Sequence, residues 1–187
     1  MDGERAYAVF DVDDTLTSFK EPYLRWTQRR GVPREEAWDP ALINLFMRDA
    51  HPDMLSPTPG SKQALELITR RYHPIAVSAR DSDLVPYTER LLAHHFPGRF
   101  ASKDIIHVGH VDGNPLGCKL EAVLDRGAEP SFIVDDRFKT ALVYADRGIR
   151  AFHIGLSEAS HERIVSYPDH QTAWKDIPKR VLNGTNR

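Results

Sequence analysis

Short apolar runs recur along this chain, and each stops abruptly on polar residues. Ala6–Phe10, Pro74–Val77, Ile105–Val108, Ser131–Val134 and Ala151–Ile154 are too brief for helices and rich in Val, Ile and Phe, which marks buried strands. Between them lie stretches with helical spacing. Ser61–Arg71 turns Ala64, Leu65, Leu67 and Ile68 to one side, and Tyr87–His95, Lys119–Leu124 and Phe138–Ala145 follow the same rule. Strands that alternate with helices predict an α/β fold, a Rossmann-like parallel sheet with helices on both faces. The tail, with Tyr167, Trp174 and Ile177, is expected to pack back as a short helix.

One stretch breaks the alternation. From about Ser18 to Thr58 no strand pattern occurs, whereas Glu21–Arg30 and Ala41–Ala50 both have helical patterning. Tyr23, Leu24 and Trp26 group on one side of the first, and Leu42, Leu45 and Phe46 stripe the second. Gly31-Val-Pro33 is a break, with Pro33 and Glu35-Glu36 suited to a new helix start. The proline-bearing run His51–Gly60 closes the segment. The expected organisation is a core of residues 1–17 and 59–187 with a helical insertion at 18–58.

The ends of the apolar runs carry the chemistry. The first strand stops on Asp11, with Asp13 two residues later, and the fourth stops on Asp135-Asp136. In open parallel sheets the ligand crevice lies beyond the carboxyl ends of the strands, so these four carboxylates would meet there. They would repel one another unless a cation sat between them. Acidic oxygens without a nearby Cys or a paired His describe a hard-cation site, and Mg²⁺ fits best, because it shares its octahedron with water and substrate phosphate. The third element of the pattern is the Pro74–Val77 strand, ending on Ser78-Ala79-Arg80, and the fourth is Lys119 at the opening of a helix.

Asp11-Val-Asp13-Asp-Thr15, then Ser78, then Lys119, then Asp135-Asp136 resembles the four ordered motifs of the haloacid dehalogenase (HAD) superfamily of phosphotransferases, over roughly residues 6 to 155. The resemblance implies a Mg²⁺-dependent phosphomonoester hydrolase. Asp11 would be the nucleophile that becomes an aspartyl phosphate, and Asp13 the general acid and base, its backbone carbonyl also ligating the metal. Ser78 would hydrogen-bond a phosphoryl oxygen, with Thr15 beside the substrate. Lys119, preferred over Lys103 for its distance to the fourth motif, would offset the charge on Asp11. Of the acidic pair, Asp136 would ligate directly, and Asp135 would orient water or Lys119. Arg80 either forks two phosphate oxygens or pairs with Asp81 or Asp83, and Arg137 reads as a structural ion-pair partner. The insertion would act as a cap, with Phe19, Tyr23 and Trp26 available to stack on a flat substrate group or to glue the insert to the core.

Two subgroups share further features. The insert size, Pro59-Gly60 and Trp174 resemble 5'(3')-deoxyribonucleotidases, although those usually carry Thr where this chain has Ser78. Ser78-Ala79-Arg80 and Val134-Asp-Asp-Arg137 resemble the phosphatase domain of polynucleotide kinases, which removes 3' phosphates. A nucleoside monophosphate or similar small ester is the leading substrate. A polynucleotide 3' end and a non-catalytic binding or regulatory module that keeps the fold are the alternatives.

Composition alters this picture little. At 187 residues the chain is sized for one domain, and a net charge of −2 gives no reason to expect a nucleic-acid groove or an anionic membrane surface. The single cysteine, Cys118, allows no intrachain disulfide. No run approaches the roughly 18 apolar residues of a membrane span, the N-terminus lacks a signal-peptide pattern, and a cytoplasmic location is expected. The histidines, including His94-His95, His107 and His110, show no metal-ligand spacing.

Overall fold

The computed structural model describes residues 5–49, 52–109, 115–157 and 160–183; Ala50, His51 and His110, named above, lie outside them. Six parallel strands form one sheet. These are β1 (Tyr7–Asp11), β2 (His73–Ser78), β3 (Ile105–His107), β4 (Pro130–Asp135), β5 (Arg150–Ile154) and β6 (Ile164–Tyr167), in spatial order β3-β2-β1-β4-β5-β6. The chain therefore builds outward from β1 to β3, returns across the sheet to β4, and builds outward the other way. The strand order reverses at β1 and β4, and a crevice opens beyond their carboxyl ends.

Both faces of the sheet are buried, which is why its strands read as unbroken apolar runs. Ala8, Phe10, Ala76, Phe132 and Phe152 enter one cluster, completed by side chains of α3 (Ser61–Ile68), α4 (Val85–His95) and α7 (His170–Leu182). Val9, Ile75, Val77 and Ile133 point the opposite way, into a cluster with Leu120 and Val123 of α5 (Pro115–Leu124) and Ala141 and Tyr144 of α6 (Phe138–Asp146). Among the described residues no helix is long and apolar enough to cross a membrane.

The tail differs from expectation. Ile164–Tyr167 adds a sixth strand beside β5, and the following helix, capped by Asp169 on the Thr172 amide at 2.8 Å, runs 13 residues through Pro178. It lies against α3, where Trp174 packs so close that a Cβ at Gly60, whose φ is +90°, would sit 3.0 Å from the Trp174 Cβ. The Trp174 indole donates to Thr58 at 3.1 Å, and the Thr58 hydroxyl donates to the Thr15 carbonyl at 2.6 Å. The last helix is thereby tied to the loop that follows β1.

The segment between β1 and α3 holds two helices, α1 (Lys20–Arg29) and α2 (Pro40–Asp49). No helix starts at Pro33. Residues 34–38 form turns, and α2 begins at Pro40, where Asp39 accepts from the Ala41 amide at 2.7 Å. Proline suits a first helical position because its missing N–H would have had no intrahelical partner.

Candidate active site

β1 delivers Asp11 and β4 delivers Asp135 to the crevice floor. Lys119, on α5, reaches both: its Nζ lies 2.5 Å from Asp11 Oδ1 and 2.9 Å from Asp135 Oδ2, and the ammonium is only 2 % exposed. An ammonium so buried needs close anionic partners, and here it has two. Asp135 uses its other oxygen to accept from the Arg137 amide at 2.8 Å. Lys103 stands elsewhere, exposed in a turn before β3, with its carbonyl bonded to Arg126 at 2.6 Å. Of the two candidate lysines, only Lys119 reaches the acidic cluster.

Asp11, Asp135 and Asp136 each offer a carboxylate oxygen within 4.8 Å of the others. One lysine cannot neutralise all three. Burial, reinforced by the neighbouring carboxylates against the pull of Lys119, raises Asp11 to about 7. Burial, with Asp11 and Asp135 adding to it, raises Asp136 to about 9. Among the described residues Asp136 forms no ion pair. Three converging carboxylates against one ammonium leave two negative charges over, which fits a hard divalent cation, and the lack of nitrogen or sulfur donors in the cluster among the described residues fits a metal of the Mg²⁺ type.

Asp13 belongs to a different environment. Its carboxylate is forked by Arg80, Nε to Oδ2 at 2.9 Å and Nη2 to Oδ1 at 2.6 Å. Arg80 also donates to Thr88 at 2.8 Å and lies 5.5 Å above the Tyr87 ring. Arg80 is thus an ion-pair partner, but of Asp13 rather than of Asp81 or Asp83. Asp81 instead accepts from Asn44 at 2.7 Å, and Asp83 pairs with Arg48, both from α2. Ser78, at the end of β2, is buried and accepts from the Arg80 amide at 3.2 Å.

A chamber of about 280 Å³ lies over this floor. Asp11, Asp13, Asp136, Arg80 and Lys119 contribute from the core, and Phe19, Trp38, Ile43, Asn44 and Met47 from the insert. Several expected substrate contacts fall elsewhere. Thr15 is fully buried, away from the lining, with its carbonyl held by Thr58. Tyr23 is fully buried and donates its hydroxyl to the Ala37 carbonyl. Trp26 is 6 % exposed, packs 5.5 Å from Phe46 and carries Arg30 over its face at 3.9 Å. Those two aromatics form the small core of the insert. Only Phe19 of the three lines the chamber, its ring stacked 5.3 Å from Tyr23.

Other lining residues escaped the sequence reading. Trp38 is 47 % exposed and lines the chamber. Its one signal was isolation: an aromatic between a buried Ala37 and the Asp39-Pro40 helix start, outside any helical stripe. Asp14 holds a left-handed backbone, φ 54°, and accepts from the amides of Phe19 and Lys20 at 2.9 and 3.0 Å, which fixes the start of α1 over the floor. Its carbonyl accepts from His170 at 2.6 Å. Arg137 was expected to be a structural ion-pair partner. It forms no ion pair among the described residues and is exposed along the chamber. Buried His95 lies against the Pro52 carbonyl at 3.0 Å, and half-buried His107 against the Asp81 carbonyl at 3.1 Å.

With this geometry in place, solved structures provide the comparison. A haloacid dehalogenase-like family hydrolase from Xanthomonas campestris superposes with a TM-score of 0.62 at 17 % identity, over 97 % of this chain and 96 % of that one. A hydrolase of the haloacid dehalogenase-like family from Streptococcus pneumoniae gives 0.59 at 14 % identity, over 96 % and 97 %. The fold is haloacid dehalogenase-like. A mutant of CbbY from Rhodobacter sphaeroides, in complex with xylulose-1,5-bisphosphate, matches at 0.57 and 16 % identity, over 87 % of this chain and 94 % of that one. No family model matches the sequence, and no curated protein matches it. The similarity is one of architecture, maintained at identities where side chains have largely turned over.

Proposed function

We propose that this chain is a HAD-superfamily phosphatase that hydrolyses small phosphate monoesters through an aspartyl phosphate on Asp11. The observation that carries this reading is the division of two carboxylates only two residues apart. Asp11 is buried against Lys119 in the acidic cluster, whereas Asp13 is turned aside and forked by Arg80. Two carboxylates with separate partners can take separate roles. The Asp11 carboxylate attacks phosphorus in line, and the phosphorus–oxygen bond to the leaving group breaks as Asp13 protonates the departing alkoxide. Asp13 then removes a proton from the water that attacks the acyl phosphate, restoring Asp11. Lys119 holds Asp11 in place and opposes the charge that accumulates on the phosphoryl oxygens.

Asp11, Asp136 and the backbone carbonyl of Asp13 would hold Mg²⁺, with Asp135 behind them tethering Lys119. When bound, the ion supplies the missing positive charge between the carboxylates and a phosphoryl oxygen. The helical insert, on this reading, is a cap of residues 18–58 on a core of 1–17 and 59–187. A chamber of about 280 Å³, just below the usual range for ligand pockets of about 300–1,000 Å³, suits a compact ester. The bisphosphorylated sugar in the CbbY neighbour is in keeping with a phosphorylated small molecule, and a nucleoside monophosphate is equally compact.

Phosphate release from the purified protein with Mg²⁺, over a panel of nucleotides, sugar phosphates and 3'-phosphorylated oligonucleotides, tests the reading. Turnover should appear with at least one small ester, vanish with EDTA and return with Mg²⁺. Asp11→Asn should lose at least about a thousandfold in kcat while keeping the fold. Turnover that survives in metal-free Asp11→Asn protein would overturn the mechanism.

A further inference from the structure

The charged groups that line the chamber are not all paired with one another. Lys119 is committed to Asp11 and Asp135, and Arg80 to Asp13. Two more cations line the same chamber and have no such commitment. Lys20, the first residue of α1, uses only its backbone amide, on Asp14; Arg137, ahead of α6, uses only its amide, on Asp135. Neither side chain forms an ion pair among the described residues, and both are exposed. An exposed Lys or Arg is ordinary at a surface. Two of them on the wall of one chamber, unpaired although Asp14 and Asp136 line the same walls, are not placed for stability.

Their location is also specific. A second, shallower depression of about 550 Å³ adjoins the chamber and shares Asp14, Lys20 and Asp136 with it. Lys20 therefore stands where the two spaces meet, whereas Arg137 lines the chamber alone, next in the chain to Asp136, which borders both. Trp38 faces the chamber from the insert, and an indole face suits a flat or ring-shaped body. A molecule whose ring rests toward Trp38, with its reacting phosphate on the Asp11 floor, could place another anionic group at the border.

We infer that the substrate carries a second phosphate or comparable anionic group, received by Lys20 and Arg137 and separated by a ring from the phosphate that reacts. This rests on the hydrolase reading above and narrows it to bisphosphorylated small molecules. The guanidinium of Arg137 can fork a phosphate, and Lys20 adds a point charge from the insert. Because one cation comes from the insert and the other from the core, the second anion would also draw the two together over the reacting group.

The test compares kcat/KM for fructose 1,6-bisphosphate against fructose 6-phosphate, and for adenosine 3',5'-bisphosphate against AMP. One pair should show a preference of about tenfold for the bisphosphate, carried mainly by KM, as expected for one charge-assisted contact pair. The Lys20→Gln/Arg137→Gln double variant should lose that preference while its melting temperature stays close to the parent's, since neither side chain is buried or paired. The absence of any preference in the parent, or an equal proportional loss on both members of a pair, would overturn the inference; the latter would assign the cations to the reacting phosphate. A binding arm separates this from failure of the hydrolase reading. Calorimetry with Asp11→Asn protein and Mg²⁺ should show the same tenfold preference, removed by Lys20→Gln/Arg137→Gln on that background. A protein that hydrolyses nothing yet keeps this binding preference would refute the hydrolase and retain the subsite.

Discussion

The floor and the roof of the chamber are built on different principles. The floor places charge at the ends of rigid, doubly buried strands: Asp11 closes β1, Asp135 closes β4, and Lys119 is held between them at 2 % exposure. The roof is a pair of helices whose aromatics mostly face each other, with Tyr23, Trp26 and Phe46 in a cluster of ring contacts of 5.4 to 6.3 Å. On the floor, position follows from a sheet whose register is shared by five neighbouring strand pairs. In the roof, position follows from aromatic packing at the edge of the main cluster, and the surface left over at Trp38 is free to vary without moving the floor. The lesson is that buried aromatics in the roof report on its stability and exposed ones on what enters the chamber.

The largest effect should come from breaking the floor. Lys119→Met removes the cation that two buried carboxylates share, leaving them uncompensated, and should cost about 3–5 kcal/mol along with turnover. Thermal unfolding and phosphate release check both. Retained stability at neutral pH in metal-free protein would mean that the carboxylates are neutralised some other way.

The roof gives the next test, and it sharpens the comparison by using two tryptophans. Trp26→Ala should destabilise the protein by about 3 kcal/mol through loss of a packed ring, with the ratio of kcat/KM between two substrates nearly unchanged. Trp38→Ala should lower the melting temperature only slightly and change that ratio severalfold. The opposite assignment would mean that the insert opens far enough in solution for its own core to meet substrate.

The smallest effect is a pH dependence of metal binding. Burial and mutual repulsion, opposed by Lys119, raise Asp11 to about 7 and Asp136 to about 9 in the metal-free floor, far above an ordinary carboxylate. Groups raised on folding contribute stability when protonated, and that contribution fades as pH rises from about 4 through these values. The metal-free floor should therefore weaken from acid toward pH 9, while Mg²⁺, which must displace those protons, binds better. The rise in melting temperature on adding Mg²⁺ should be larger at pH 8.5 than at pH 6. A rise that is flat across this range would show that the carboxylates are ionised before metal arrives.

Much of the floor was legible in one dimension because a strand that stops on a carboxylate is a local signal. Asp11, Asp135 and Asp136 stood at the ends of apolar runs, and the structure brings them within 4.8 Å of one another. Lys119 was separable from Lys103 by its spacing to the last acidic pair. The Arg80–Asp13 fork was not legible, since its partners are 67 positions apart and Arg80 had nearer carboxylates at Asp81 and Asp83. Those were taken by α2 through Asn44 and Arg48, residues no periodicity could assign to them. β6 was missed because Ile164–Tyr167 is a half-buried edge strand with too few apolar residues to form a run, and edge position is a property of the sheet rather than of the segment.

Local pattern alone, then, determined the alternating α/β core, the helical insert and the acidic strand ends, because burial on two faces and helical periodicity leave marks within a few residues. Tertiary structure decided which charges found each other and which aromatics stayed exposed. Asp13 went to Arg80, Tyr23 and Trp26 went inside, and Trp38, Lys20 and Arg137 were left facing the chamber. Those outcomes depend on how the chain's return from β3 to β4 and the insert's own packing bring distant side chains within a hydrogen bond of one another. Such distances are fixed by the sheet as a whole.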